Sequence, residues 1–588
     1  MRGTIRQLML WGAAAGILAT AAAPAMADDD LIMKNKVDEE VRFRPSTGLS
    51  KARTLGQSDI DKKIKGGAGI FSSLKLHTTL RASYDAVYDL NSEKYGDSAG
   101  GSVAFWGTPA PGPFGAQNVA GNPNQGLELV NPWRGRDGGL QFATPVRPCD
   151  VDSRGCIKDY LDKSKNELAA PEFNDRLDFL RELYVDGEIP VGNSTLALRV
   201  GRQQLVWGRT DLFRVLDVVN PVDYSRNNIY DELQDIRIPM GMVRADYRMG
   251  ARGPFDDLNV QGVWVVEQFR PNELGQGGSP NSALGAGRIF RAYKTCWDVG
   301  CTVGNFGALG DTQFAPGIVG IRNANMPDWN LSNTSVGGKV EGELKGVGFS
   351  LNALTTHSQM PSLRGINPSY LPAFDIEFPR LNIFGGSLDF TSDPIDTTFR
   401  FETAYTQGEE FANTARARLY SKNDVVRYVL GADRNTFIPF LNERRAFLFS
   451  GQVFGQHIFN HELRDGTAGP IGMPDWEDNW VATLLIKGWY MGDTVSPQVV
   501  MARDIRARAN VVEPSVEWIP TARWRFRLGA NVKFGEDRNS FDNDSGALPG
   551  VVSTGAFRGA EPLGMFRTGV IGMAHDETEI FANATLRF

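Results

Sequence analysis

Residues 74–86 set the pattern that runs through this chain. Leu74, Leu76, Leu80, Ala82, Tyr84 and Ala86 fall on one side of an extended segment, and Lys75, His77, Thr79, Arg81, Ser83 and Asp85 on the other. Successive side chains of a strand point to opposite faces, so such a segment is apolar on one face and polar on the other. Similar stretches recur near 176–186, 194–208, 237–249, 257–269, 333–345, 346–357, 381–393 and 397–409, then near 422–434, 444–459, 478–491, 495–506, 508–520, 523–535 and 579–588. The pattern predicts an all-β chain of about sixteen strands, with a margin of about two. Residues 28–69 are polar and charged without that alternation. They read as a short periplasmic segment or a small hatch ahead of a barrel spanning 70–588.

The connections alternate in length. Those at about 91–175, 209–236, 270–332, 358–380, 460–477 and 536–578 are long. Those at about 187–193, 250–256, Lys345-Gly346, Thr391 to Asp396, 491–494 and Pro520 to Ala522 are short. Two depart from the rule: 506–508 is short on the long side, and 435–443 is longish on the short side. Sorting of long loops to one end and tight turns to the other is the habit of transmembrane antiparallel barrels with long extracellular loops. The last strand agrees, with Ile580, Ala582, Ala584, Leu586 and Phe588 on one face and Phe581, Asn583, Thr585 and Arg587 on the other. A closing strand that ends on Phe resembles the terminal strand of bacterial outer-membrane barrels, which the assembly machinery reads.

The amino-terminus fits export. Arg2 and Arg6 precede an apolar run from Leu8 to Ala23, and Ala25-Met26-Ala27 has the small-x-small form of a cleavage site, so residues 1–27 read as a signal peptide and Asp28 as the mature start. No later run of about 18 apolar residues predicts a spanning helix. The expected location is the outer membrane of a Gram-negative bacterium, with membrane lipid and lipopolysaccharide as surroundings.

Register assigns faces. In 523–535, Trp524, Phe526, Leu528, Ala530, Val532 and Phe534 are expected to face lipid, and Arg523, Arg525, Arg527, Asn531 and Lys533 the lumen. Glu513, Ser515 and Glu517 share the lumenal face of the preceding strand, with Glu517 expected opposite Arg525. Lys75, Arg81, Arg199, Arg400, Glu402, Arg506 and Arg508 complete the candidate pore lining. Two readings stay open: a charge ladder that braces the wall, or an electropositive eyelet that selects anions.

The formal charge of −7 includes the two signal arginines, and this acidity argues against a nucleic-acid partner. Cys149 with Cys156 and Cys296 with Cys301 form two close pairs in loop sequence of an exported chain, which predicts two disulfides rather than a metal site. Gly96-Asp97-Ser98-Ala99-Gly100 has nucleophile-elbow spacing but lacks a following helix, so no enzyme is predicted. His457 and His461 would lie roughly 13 Å apart along a strand, too far for one metal. The acidic tip Asp542-Asn543-Asp544 lacks the distal Glu of a calcium loop. No cofactor is predicted.

Three further stretches carry a family resemblance: LALRVGRQQLVWGRTDLFRVLDVVNP (Leu196 to Pro221), RYVLG (Arg427 to Gly431) with Phe437 to Pro439 and Leu441-Asn442, and FLFSGQVFGQH (Phe447 to His457). With the FANATLRF end, they resemble the proteobacterial outer-membrane family catalogued as domain of unknown function 1302. The resemblance implies an outer-membrane barrel that moves hydrophobic or amphipathic molecules together with an inner-membrane exporter and a periplasmic partner. It supplies no site residues. The expected function is a transport barrel. The alternative is a plugged barrel acting as a structural or partner-binding protein.

Overall fold

The computed structural model describes residues 30–64, 69–99, 147–208, 214–226, 233–281, 286–303, 312–366, 373–466, 469–535, 571, 572 and 574–588. The expected signal peptide, the Asp542–Asp544 tip and Gly100 of the elbow pattern lie outside these residues.

Eighteen antiparallel strands form one closed sheet. The first seven are β1 (Leu31–Arg44), β2 (Gly48–Ile64), β3 (Ser73–Asp85), β4 (Leu180–Val191), β5 (Ser194–Gln203), β6 (Met240–Arg248) and β7 (Asp257–Val265). The next six are β8 (Ser335–Leu344), β9 (Val347–His357), β10 (Arg380–Ser392), β11 (Thr397–Ala412), β12 (Tyr420–Thr436) and β13 (Phe447–Ile458). The last five are β14 (Asp478–Lys487), β15 (Val495–Asp504), β16 (Ala509–Trp518), β17 (Trp524–Gly535) and β18 (Glu579–Arg587). β18 closes on β1, from Lys36 opposite Arg587 to Phe43 opposite Ile580. Closure removes every free sheet edge, which a spanning β-structure requires because lipid cannot satisfy backbone groups.

Sixteen of these strands coincide with the alternating stretches. The two extra ones, β1 and β2, correct the reading of 28–69 as a separate periplasmic segment. They escape a search for apolar alternation because the outward positions of β1 include Asn35 and Glu39, and those of β2 include Thr54, Gly56 and Ser58. The two added strands bring one new exception to the sorting, the three-residue turn 45–47 at the long-loop end. One end carries 86–179, 204–239, 266–334, 358–379 and 536–578, and the other carries turns such as 192–193, 345–346 and 393–396. Both earlier exceptions persist, as 505–508 and 437–446.

The outward face is apolar and exposed around the barrel, with Phe43, Val200, Trp264, Leu351, Phe384, Leu430, Val453, Leu528 and Ile580 among its side chains. A soluble protein would bury such residues; an outer-membrane barrel presents them to lipid. The buried apolar cores lie elsewhere. One caps the long-loop end, where the helix Ala286–Val299 packs with Ile157, Tyr160, Leu161, Ile321, Phe374 and Ile376. Arg291 of that helix, fully buried, donates to the carbonyl oxygens of Arg147 at 2.8 Å and Gly277 at 3.2 Å and so ties two loops together. Gly155, with φ +69°, lets the Cys149–Cys156 loop touch the same helix, because a Cβ there would come within 2.3 Å of the Arg291 carbonyl oxygen. The other core lies inside the barrel.

Candidate functional site

Between β5 and β6, the described residues 204–208, 214–226 and 233–239 fold into the lumen. Asn220 clamps the two ends of this segment. Its side chain donates to the carbonyls of Gln203 (3.2 Å) and Ile238 (2.9 Å) and accepts from the Leu205 N–H (2.8 Å). Between these ends, Leu205, Trp207, Val215, Leu216 and Val219 pack on an apolar inner wall made by Met242, Val263, Val265, Leu354, Leu381, Ile383, Ala404, Val429 and Phe454. Burying side chains of this size contributes about 1.5–3 kcal/mol each. Two polar contacts fix the register. Trp207 Nε1 donates to Gln261 Oε1 at 2.6 Å, and Glu402 Oε1 accepts the Leu216 N–H at 2.7 Å. The Trp207 ring needs Gly337 opposite, since a Cβ there would lie 2.7 Å from Trp207 Cη2.

The far side of the segment meets a charged wall. A short helix, Leu233–Ile236, presents Asp235 to Arg81 Nη2 at 2.8 Å and to Lys36 Nζ at 3.9 Å. Arg181 donates to the carbonyls of Gln234, Asp235 and Arg237 at 2.8, 3.2 and 2.9 Å, satisfying the helix's last acceptors. A bulge makes this contact. Thr79 pairs with Glu182 and Leu80 with Leu180, so Arg181 is the extra residue and turns inward beside Glu182. Burial raises the Asp235 carboxyl, but Arg81, Lys36 and Arg181 outweigh it and hold the group below the ordinary carboxylate range.

Most of the anticipated lining residues stand on the inner wall with opposite charges beside them. Lys75 meets Asp61 at 2.9 Å. Arg199 binds Asp186 through Nε at 2.6 Å and covers the Tyr184 ring at 4.0 Å. Arg400 pairs with Asp433, and Arg527 with Glu513 at 2.7 Å. Glu517 was expected opposite Arg525, but Arg527 is its direct cross-strand neighbour, and its ion pair with Arg525 runs along a diagonal. Three candidates require correction. Arg506 and Arg508 belong to the 505–508 turn; Arg506 lies over Trp476 and Trp480 at 6.0 and 5.8 Å, and Arg508 is an exposed residue with φ 57°. Arg523 is exposed in the turn ahead of β17. In each case alternation was extended past the end of a strand.

The segment leaves cavities on both sides. A polar one of about 720 Å³ is lined by Lys34, Lys36, His77, Arg81, Arg181 and Asp235, together with Phe588 at the chain end. One of about 290 Å³, also lined by Arg181 and Asp235, continues beneath the long loops. On the opposite side a cavity of about 410 Å³ is lined by Val215, Val218, Leu381, Ile383, Phe454 and Val481, with Arg214 and the Arg427–Glu409 pair among its polar residues.

The Cys149–Cys156 disulfide is formed, and Cys296 is disulfide-bonded, while the Cys301 side chain lies outside the described set. His457 binds Asp478 and His461 binds the Asp475 carbonyl, so the two histidines take separate partners. Among the described residues no group of three metal-ligating side chains stands together.

The model of a family described as "Protein of unknown function (DUF1302)" matches residues 51–554. The chain belongs to this family. The matched span of this DUF1302 member includes the inward segment and every residue lining the 410 Å³ cavity. No curated protein matches the sequence. Among solved structures, Acinetobacter baumannii OccAB3 is similar at 7% identity and TM-score 0.38, over 95% of this chain and 98% of that one. Pseudomonas aeruginosa OccK1 (OpdK) is similar at 9% identity and TM-score 0.37, over 95% and 99%. Salmonella typhi OmpF is similar at 7% identity and TM-score 0.34, over 95% and 97%. Likenesses this distant carry no argument about function.

The sequence placed Leu205 and Trp207 on a strand ending at Gly208 and Val215 to Val219 in an outside loop; the strand ends at Gln203, and these residues turn into the lumen instead. A signal was present beyond that strand: Val215, Leu216, Val218 and Val219 crowd apolar side chains into a connection that would otherwise expose them.

Proposed function

We propose that this protein is an outer-membrane channel for small hydrophobic or amphipathic molecules, gated by the 204–239 segment. The observation that carries the reading is the lumen itself: one wall is apolar, the other charged, and a segment rests between them on both. An amphipathic cargo meets a matching surface on either side once the segment moves. The exposed apolar belt, the sorted connections and the closed eighteen-stranded sheet support the outer membrane as the location, assembly by the barrel machinery, and loops that face lipopolysaccharide. An inner-membrane exporter and a periplasmic protein would then deliver cargo at the short-turn end.

The same docked segment favours a second reading, a permanently plugged barrel that acts through its surface loops. Single-channel recording in a planar bilayer, with ion selectivity from the reversal potential, separates the two. Discrete openings support the channel. Silence from folded protein, with no uptake or export defect on deletion, supports the plug.

A further inference from the structure

The cavity of about 410 Å³ beside the inward segment has the size of a small-ligand site, with a mainly apolar surface and polar side chains such as Arg214, Tyr224 and Gln359 among its lining. Its apolar lining comes from two sources. Leu381, Ile383, Ala404, Phe454 and Val481 belong to β10, β11, β13 and β14, and Val215 and Val218 to the segment. Rigid strands therefore set one side of it, and the gating element sets the other.

Its polar residues are unequal in charge balance. Arg427 is neutralised in place: two of its nitrogens meet Glu409 at 2.7 Å each, and the third donates to Gln456 at 3.0 Å. Arg214 is held differently. It donates to the backbone carbonyls of Asp217 and Asn220, the latter at 2.5 Å, and these are neutral acceptors. The carboxylate near it, Asp217, is 3.7 Å from Arg214 Nε but only 2.6 Å from Arg237. All three side chains are at least nine-tenths buried. Among the described residues, then, two buried guanidinium groups share one carboxylate. Of these three groups only Arg214 lines this cavity, Arg237 facing the one of about 290 Å³; a buried charge is costly unless matched, so Arg214 favours an incoming anion.

We propose that this cavity binds a small amphipathic anion, with its apolar body against Leu381, Ile383, Phe454 and Val481 and its acidic head directed to Arg214. The site rests on the channel reading above and gives it a substrate class. A protonated amine is disfavoured by Arg214, and a neutral alcohol leaves Arg214 unmatched. Ligand binding would also stabilise the docked segment, since Val215 and Val218 form part of the wall.

The test uses the full protein in lipid nanodiscs with three ten-carbon probes: decanoate, 1-decanol and decyltrimethylammonium. Binding is read by equilibrium dialysis, and conductance is recorded on the same preparations. Saturable decanoate binding at least tenfold tighter than that of the other two is expected. Ala404→Trp, which fills the cavity from the strand side, should abolish it. Arg214→Gln should weaken decanoate at least tenfold and leave decanol unchanged, while Arg214→Lys should restore most of the preference. Absence of saturable binding by folded protein overturns the proposal, as does equal affinity for all three probes or indifference to both Ala404→Trp and Arg214→Gln. Conductance without decanoate binding sinks the site and keeps the channel; decanoate binding without conductance keeps the site and sinks the channel.

Discussion

The two walls that hold the inward segment differ in kind. On the β6–β13 side, contact is made by shape: Trp207 and Leu216 lie in places shaped by Gly337, Leu354, Ile383 and Phe454, with one backbone N–H given to Glu402. On the β1–β4 side it is made by charge: Asp235 meets Arg81 and Lys36, and Arg181 grips carbonyl oxygens. Asp235 retains about a third of its side-chain exposure, so water and salt weaken its share. The apolar wall should therefore carry most of the docking energy, and the charged wall should set where the segment comes to rest and how readily it lets go.

The largest effect is expected at Trp207. Truncation to Ala in a packed core costs about 3–5 kcal/mol, which raises the population of undocked segment by two orders of magnitude or more. Limited proteolysis should then cut within 204–239 in Trp207→Ala and leave the wild type intact. A smaller effect belongs to Glu402. Replacement by Ala strands the buried Leu216 N–H at a cost of about 1–3 kcal/mol, whereas Gln keeps an acceptor and should retain most of the protection. The ratio of cleavage rates for the two variants checks this.

Asp235→Asn should shift docking by about 1 kcal/mol or less, and more at low salt than at high. The charged wall also makes a pH prediction. The Asp235 carboxyl is held below its ordinary value of 3.8, so its contribution is complete above that value and is lost only as pH falls below it. Protease resistance and conductance should stay flat from pH 8 to about 5 and change only below about pH 4. The smallest effect is expected for reduction of Cys149–Cys156. It should loosen the cap by about 2–3 kcal/mol at most and leave the lumen untouched, which protease mapping of 147–179 can read.

The barrel was legible wherever one face of a strand was consistently apolar. Ile580 to Phe588 and Trp524 to Phe534 turned out as their alternation implied, outward residues included. β1 and β2 were not legible, because Asn35, Glu39, Thr54 and Ser58 interrupt the outward face where apolar residues were sought. The charged wall was partly legible: Arg199, Arg400, Arg525 and Arg527 were placed by register alone, but their partners depend on diagonal contacts that a one-residue error would change. Arg506, Arg508 and Arg523 mark where parity loses meaning, at strand ends. The apolar wall was illegible for a different reason. Val263, Ile383, Ala404 and Phe454 are apolar on the lumenal face, so alternation fades along those strands, and only the folded segment reveals what they face.

The most direct test of this account is single-channel conductance of the wild-type protein beside Trp207→Ala, in the same bilayer and salt. If the 204–239 segment closes the lumen, the wild type should show rare or small openings and the variant a steady conductance several-fold larger. Equal conductance from the two folded proteins, whether both open or both silent, would contradict the claim that this segment governs passage.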